Sequence, residues 1–192
     1  HPLLELPDRV GLVGSAGRQQ RVSIARAITS NPRFIVLDEP TSALTPETTA
    51  EIIRLLIDLS NDLKIAYMFI SHDLTTVKYI CHRVVVMYLG QVMENGTAEE
   101  IFSPPYHPYT EALLSAIPIP DPDIKQARVR LQGEIPSFFD PPKGCRFSTR
   151  CPRRIGEICD TTPPPDVEAL PGHLIKCHIP LEELRKVEPI FQ

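Results

Sequence analysis

Apolar residues recur along this chain at two different spacings, and the change of spacing marks the change of element. Between Arg33 and Leu37 four of five residues are apolar and the run is short, which predicts a buried strand. From Pro46 to about residue 60, Ile52, Ile53, Leu55, Leu56 and Leu59 make a helical stripe. Thr45 followed by Pro46 supplies its start, an N-cap and then proline in the first turn. Ala66 to Ile70 reads as the next strand, and a short helix follows from Thr75 to Cys81. Arg83 to Gly90 then opens a hairpin with Gln91 to Gly96, with Asn95-Gly96 as a turn signal. Upstream, Ser15 is a good N-cap for a helix whose Val22, Ala25 and Ile28 share a face. Leu3, Leu4, Leu6, Val10 and Leu12 could line another short helix, limited by Pro2 and Pro7.

This regularity does not last. Of 21 prolines, five precede residue 103 and sixteen follow it, and four of the five cysteines also lie in the later part. The shift predicts an α/β segment over residues 1–117 and a loop-rich, cysteine-containing module over 118–192. A formal net charge of −4 gives no global case for nucleic-acid binding, and nucleic acid is not an expected partner. No apolar run approaches the roughly 18 residues that span a bilayer. The chain opens on His1 rather than Met, which suggests a fragment or a processed start.

The chemistry gathers at strand ends. Asp38 and Glu39 close the first strand, where open α/β sheets place ligands, and Pro40 ends its ladder. A carboxylate there suits Mg²⁺, and a second beside it can orient or deprotonate a water. Taken alone, the pair is a weak signal, and its plainer reading as polar residues closing a strand would win. A Ser/Gly turn feeding a helix N-terminus, here Ser15 to Gly17, suits a phosphate, although any capped amphipathic helix looks the same.

Ser15 to Ala27, followed by Phe34 to Leu44 with its Asp-Glu-Pro-Thr-Ser-Ala-Leu, resembles the signature motif and Walker B region of ATP-binding-cassette (ABC) ATPases. The resemblance implies a partial ABC ATPase core of the P-loop NTPase fold. It implies that Asp38 helps hold Mg²⁺, that Glu39 positions the hydrolytic water, and that His72, one helix and one strand later, is the switch histidine on the γ-phosphate. Ser15 and Gly17 would face ATP held by the opposite subunit of a dimer. The chain reads Gly14-Ser15-Ala16-Gly17-Arg18 where the family reads Leu-Ser-Gly-Gly-Gln, and Thr45 stands in place of the D-loop aspartate. No Gly-x-x-x-x-Gly-Lys-[Ser/Thr] occurs in the 192 residues. The expectation is that this motif precedes residue 1, and that the isolated chain hydrolyses ATP negligibly.

His107-Pro108-Tyr109-Thr110, and later Cys145-Arg146-Phe147-Ser148-Thr149-Arg150-Cys151-Pro152, resemble the oligopeptide/dipeptide-importer branch of these ATPases. The cysteines Cys145, Cys151, Cys159 and Cys177 are spaced C-x₅-C-x₇-C-x₁₇-C. Disulfides are disfavoured in a chain that looks cytosolic. Four thiolates fit zinc, without its usual short pair spacing, and they also fit an iron–sulfur cluster. The resemblance points to a four-iron, four-sulfur cluster, with Zn²⁺ as the alternative. His173 and His178 are possible substitutes or supporting donors. Residues 124–154 hold eight Lys/Arg against two Asp/Glu, and Arg146, Arg150, Arg153 and Arg154 could offset cluster charge.

Two functions follow. One is the ATP-binding subunit, or part of it, of a peptide importer, peripheral on the cytoplasmic membrane face and partnered by a second ATPase subunit and transmembrane permease subunits. The other is a non-hydrolysing metal- or iron–sulfur-binding scaffold derived from such an ATPase.

Overall fold

A computed structural model describes residues 15–118 and 128–190. The helix expected over Leu3 to Leu12 lies outside them. The chain forms two compact units that divide between Ile80 and Cys81. The compositional boundary at 117/118 falls inside the second unit.

The first unit is built on two parallel strands, β1 (Phe34–Asp38) and β2 (Ala66–Ile70), with Phe34 opposite Ala66 and Asp38 opposite Ile70. Helix α1 (Ala16–Ile28) precedes them, α2 (Pro46–Leu63) connects them and α3 (Leu74–Ile80) follows. The α2 stripe is realised: Ile52, Ile53, Leu56 and Leu59 are buried, with Ile24 and Leu37, in one cluster. Each such side chain contributes about 1.5–3 kcal/mol as an upper bound. Thr45 caps α2 through its hydroxyl, which accepts from the Thr48 N–H at 3.4 Å, and Pro46 follows it.

Two expectations change here. The strands are covered on one face only: Leu37 is buried, whereas Phe34, Val36, Met68 and Ile70 are exposed on the other face. On α1 the inward residues are Gly17 and Ile24, with Ile28 partly buried beside them, while Val22 is 47% exposed. Positions 17, 21, 24 and 28 follow the i, i+4, i+7, i+11 rule, so the packed face is one step round from the Val22 face. Arg21 on this face reaches Glu51 of α2 at 2.8 Å.

The second unit holds a four-stranded antiparallel sheet in the order β3 (Arg83–Tyr88), β4 (Gln91–Thr97), β6 (His173–Lys176), β5 (Asp166–Leu170). Short helices α4 (Ala98–Ile101), α5 (Pro108–Ser115), α6 (Ile158–Thr161) and α7 (Leu181–Leu184) decorate it. The β3–β4 hairpin forms as expected, but its turn is Leu89-Gly90, both at positive φ (45° and 73°). Asn95 and Gly96 instead lie within β4, opposite Val85 and Val84. Two consecutive positive-φ residues give the turn whose twist matches the strands, and the sequence signal five residues on is absorbed by the ladder. The proline-rich tail was not expected to add strands. It adds β5 and β6, and β6 pairs with β4 at Glu94–Ile175 and Asn95–Leu174.

Gly17 is where α1 lies closest to α2. A Cβ built there would stand 2.5 Å from Thr48 Cγ2. Gly17→Ala gains about 1 kcal/mol of helix propensity but meets an overpacking cost of about 1–3 kcal/mol. We therefore expect Gly17→Ala to lower the urea midpoint, and Gly17→Ala with Thr48→Ser, which deletes that methyl, to restore or exceed it.

Candidate functional site

Register brings the first site together. Because β1 and β2 are parallel with Asp38 opposite Ile70, the residues just past both strands emerge at the same sheet edge. The Glu39 N–H donates to the Ile70 carbonyl at 2.9 Å, extending the ladder by one residue. Glu39 then turns sharply, at φ 46°, a left-handed conformation that is uncommon for a non-glycine residue and seldom accidental. Ser42 holds that turn, its N–H and hydroxyl both donating to the Glu39 carbonyl.

The outcome is a contact between residues 33 apart: His72 Nδ1 lies 2.8 Å from Glu39 Oε1. His72 is 79% exposed and Glu39 37%. The hydrogen bond that the ring donates to Glu39, and then the Glu39 charge, hold the imidazole above its ordinary range. With Nδ1 engaged, Nε2 is the ring nitrogen left for an outside partner. Asp38 is exposed, and its carboxylate has no hydrogen-bond or ion-pair partner among the described residues. Ser15 stands at the N-cap of α1, exposed, without a side-chain capping bond. Gly17 is buried against Thr48, so the structure gives it a packing role.

A second grouping lies in the later unit. The Gly144 N–H donates to the Asp160 carbonyl at 2.9 Å, and the Cys145 N–H to the Cys159 carbonyl at 2.7 Å. A Cβ at Gly144 would sit 2.4 Å from the Cys159 carbonyl oxygen, so this approach needs glycine. Every pairing among Cys145, Cys151, Cys159 and Cys177 is close enough for one thiolate's charge to raise the pKa of another. Burial pushes Cys151 up to about 12 and Cys177 to about 11, and it also raises Cys145. Main-chain N–H groups act in the opposite direction: Phe147 and Ser148 on Cys145, Arg153 on Cys151, Ile179 and His178 on Cys177. Cys145 packs with Tyr88, Met93 and Phe147, and Cys151 lies against that cluster. All four thiols are free of disulfides. Among the described residues no three His, Cys, Asp or Glu side chains are grouped as ligands of a single metal ion.

The two histidines proposed to support the cysteines are otherwise engaged. His178 Nε2 lies 2.8 Å from the Thr162 carbonyl, and His173 Nε2 lies 2.8 Å from Glu94 Oε1 with both side chains fully buried. Glu94 was not anticipated. Its other oxygen accepts from the His107 N–H at 2.9 Å, and burial raises its pKa. The His107 side chain accepts from the Tyr109 N–H, capping α5, and burial drives its pKa down to about 3. The signal was a glutamate at an inward strand position, unusual enough to imply a partner. Of the four arginines expected to offset cluster charge, three have other oxygens: Arg146 binds the Leu89 carbonyl, Arg153 binds Glu111 and the Glu183 carbonyl, and Arg154 binds Asp160.

Residues 7–42 match the ABC transporter family model, and residues 93–159 match the model described as the oligopeptide/dipeptide transporter C-terminal region. A Brucella ovis protein named for peptide import as an ATP-binding protein is 52% identical over 163 residues, 85% of this chain and 51% of its own length. Dipeptide transport ATP-binding proteins called DppF are similar too, at 45% identity in Haemophilus influenzae (90% of this chain, 53% of that protein) and 44% in Escherichia coli (88% and 50%). A solved ATP-binding cassette of an ABC transporter in its ADP conformation aligns at 31% identity and TM-score 0.41, over 44% of this chain and 33% of that one. The chain spans about half the length of the curated relatives it matches. It belongs to the ABC transporter ATPase family, in the oligopeptide/dipeptide branch, with a partial α/β core of that family's fold.

Proposed function

We propose that this chain carries the water-activating and γ-phosphate-sensing part of a subunit that couples ATP hydrolysis to peptide import. The observation that carries this reading is the 2.8 Å contact between Glu39 and His72 beside an unpaired Asp38. Asp38 would hold Mg²⁺, which when bound neutralises charge between the phosphates. Glu39 orients and accepts a proton from the attacking water, as its position one residue beyond the metal carboxylate allows. His72, fixed through Nδ1, offers Nε2–H to a phosphate oxygen. Of the two signature residues, Ser15 is the one open to ATP of an opposite subunit, and Gly17 sets the helix spacing behind it. The proposed partners are a second ATPase subunit and the permease subunits of the importer, with the chain peripheral on the cytoplasmic face of the membrane. No helix among the described residues is long and apolar enough to cross one.

The tail reading is a four-iron, four-sulfur cluster on Cys145, Cys151, Cys159 and Cys177. Mutual proximity of all four thiols, and N–H donors directed to three of them, fit a cluster that needs anionic sulfur. The cluster would supply covalent bonds between loop segments that have few apolar contacts of their own.

Three outcomes are expected. The purified 192-residue chain should hydrolyse ATP no faster than its Glu39→Gln variant, since its sequence offers no P-loop; turnover well above that control would overturn this. By NMR, the His72 imidazole should titrate above the usual value of about 6.5, and Glu39→Gln should bring it down. Because the folded pKa is raised, the pair's small, solvent-screened contribution is present below the unfolded pKa and fades as pH rises through the folded one. A midpoint unmoved by Glu39→Gln would separate the two residues. Chain purified without oxygen should contain about four iron and four sulfide; Gly144→Ala, which keeps every thiol, and Cys151→Ser should both lose them and become protease-sensitive. About one zinc without sulfide would replace the cluster with a structural ion.

A further inference from the structure

Alongside the cysteine grouping a cleft of about 320 Å³ opens, lined by Arg130, Gln132, Thr149, Arg150, Cys151 and Pro152. Its polar lining residues are two arginines, a glutamine and a threonine, and among the described residues no Asp or Glu lines it. The neighbouring arginines show how this segment ordinarily treats its charges: Arg146, Arg153 and Arg154 each donate to a protein oxygen. Arg130 and Arg150 do not. Neither has a hydrogen-bond or ion-pair partner in the cleft or elsewhere among the described residues. Arg150 is half-buried, and its Nε is enclosed without an acceptor. A buried charged donor left unsatisfied is costly, so its persistence calls for an acceptor that the described residues do not supply.

We propose that this cleft is a binding site for a small oxyanion of the phosphate class, clamped by Arg130 and Arg150 with Gln132 and Thr149 as additional donors. Guanidinium forks match phosphate oxygens two at a time, and two arginines line this one cleft. The volume lies at the lower end for ligand sites, enough for a phosphate group with a short substituent. The segment's surplus of positive charge, eight Lys/Arg against two Asp/Glu over residues 124–154, would draw such an anion in. The phosphate can come from a free molecule or from a lipid headgroup. Ile135, Phe138 and Phe139, 64%, 64% and 95% exposed, lie a few residues beyond Gln132 and would suit the lipid source.

The test titrates the whole chain with inorganic phosphate and pyrophosphate by calorimetry, and measures its co-sedimentation with phosphatidylcholine vesicles with and without phosphatidic acid. Binding of the free anions, weakened at least tenfold by Arg130→Gln and by Arg150→Gln, is the expected result for a soluble ligand. Retention on phosphatidic acid vesicles alone, lost in the same variants and in Phe138→Ser with Phe139→Ser, assigns the headgroup. Arg130 is exposed, so Arg130→Gln should keep the wild-type circular dichroism and melting temperature. That variant keeps the test decisive if Arg150→Gln fails to fold. Absence of both kinds of binding, or binding unchanged by Arg130→Gln, overturns the proposal. Iron or sulfide loss in Arg150→Gln with phosphate binding intact would assign Arg150 to the cysteines instead.

Discussion

The parallel register of two five-residue strands governs what the first unit can do. With Asp38 opposite Ile70, the chain leaves both strands at one edge, and two residues more on the second strand bring His72 to the carboxylate of Glu39. A slip of one residue would turn every side chain of a strand to the other face. It would also take Leu37 out of the cluster it shares with Ile52, Ile53, Leu56 and Leu59. The α2 stripe therefore fixes the register, and the register fixes the site. The left-handed backbone at Glu39 completes the arrangement locally, where the N–H still serves the ladder while the side chain leaves it.

The second unit depends on a different constraint, a carboxylate that cannot reach water. Glu94 is fully buried on β4, and its two oxygens are occupied by His173 of β6 and by the backbone of His107 at the start of α5. Removing either partner would leave a buried acceptor unpaired, which costs more than a typical hydrogen bond contributes. One side chain thus ties the hairpin, the helix that begins Pro108-Tyr109-Thr110, and the strand that leads to Cys177. Replacing the tie with apolar packing could be as stable, but it would not specify which strand lies beside β4.

Much of this was legible in the residues. The α2 stripe, its Thr45-Pro46 start and the strand ending in Asp38-Glu39 follow from local spacing, and local spacing is conserved on folding. What failed to read were properties set by partners distant in sequence. Val22 looked inward until Gly17 gave α1 a closer approach through Thr48. Asn95-Gly96 looked like a turn, but Leu89-Gly90 took the positive-φ positions and β6 recruited Asn95 into the sheet. The strands of the tail carried no strong alternation, because β5 and β6 are short, and β6 enters the sheet by pairing with β4 some 80 residues earlier. His173 and His178 fell near cysteines in sequence, yet their ring nitrogens answer to Glu94 and to Thr162.

The cysteines show how burial and hydrogen bonding can oppose each other at one atom. The apolar neighbours Tyr88, Met93 and Phe147 disfavour thiolate, and so does each nearby sulfur charge. Backbone N–H groups one to three residues beyond Cys145, Cys151 and Cys177 favour it. Burial wins for Cys145, Cys151 and Cys177 as they stand, and each is held above the ordinary thiol range. A bound cation would reverse the balance, because its charge replaces the missing solvation and the N–H donors then act on sulfur that is already anionic. In the proposed cluster reading the same donors would act on metallated thiolates. Gly144 acts in backbone terms: the close approach it permits lets the Cys145 N–H donate to the Cys159 carbonyl and holds the two cysteine-bearing segments together.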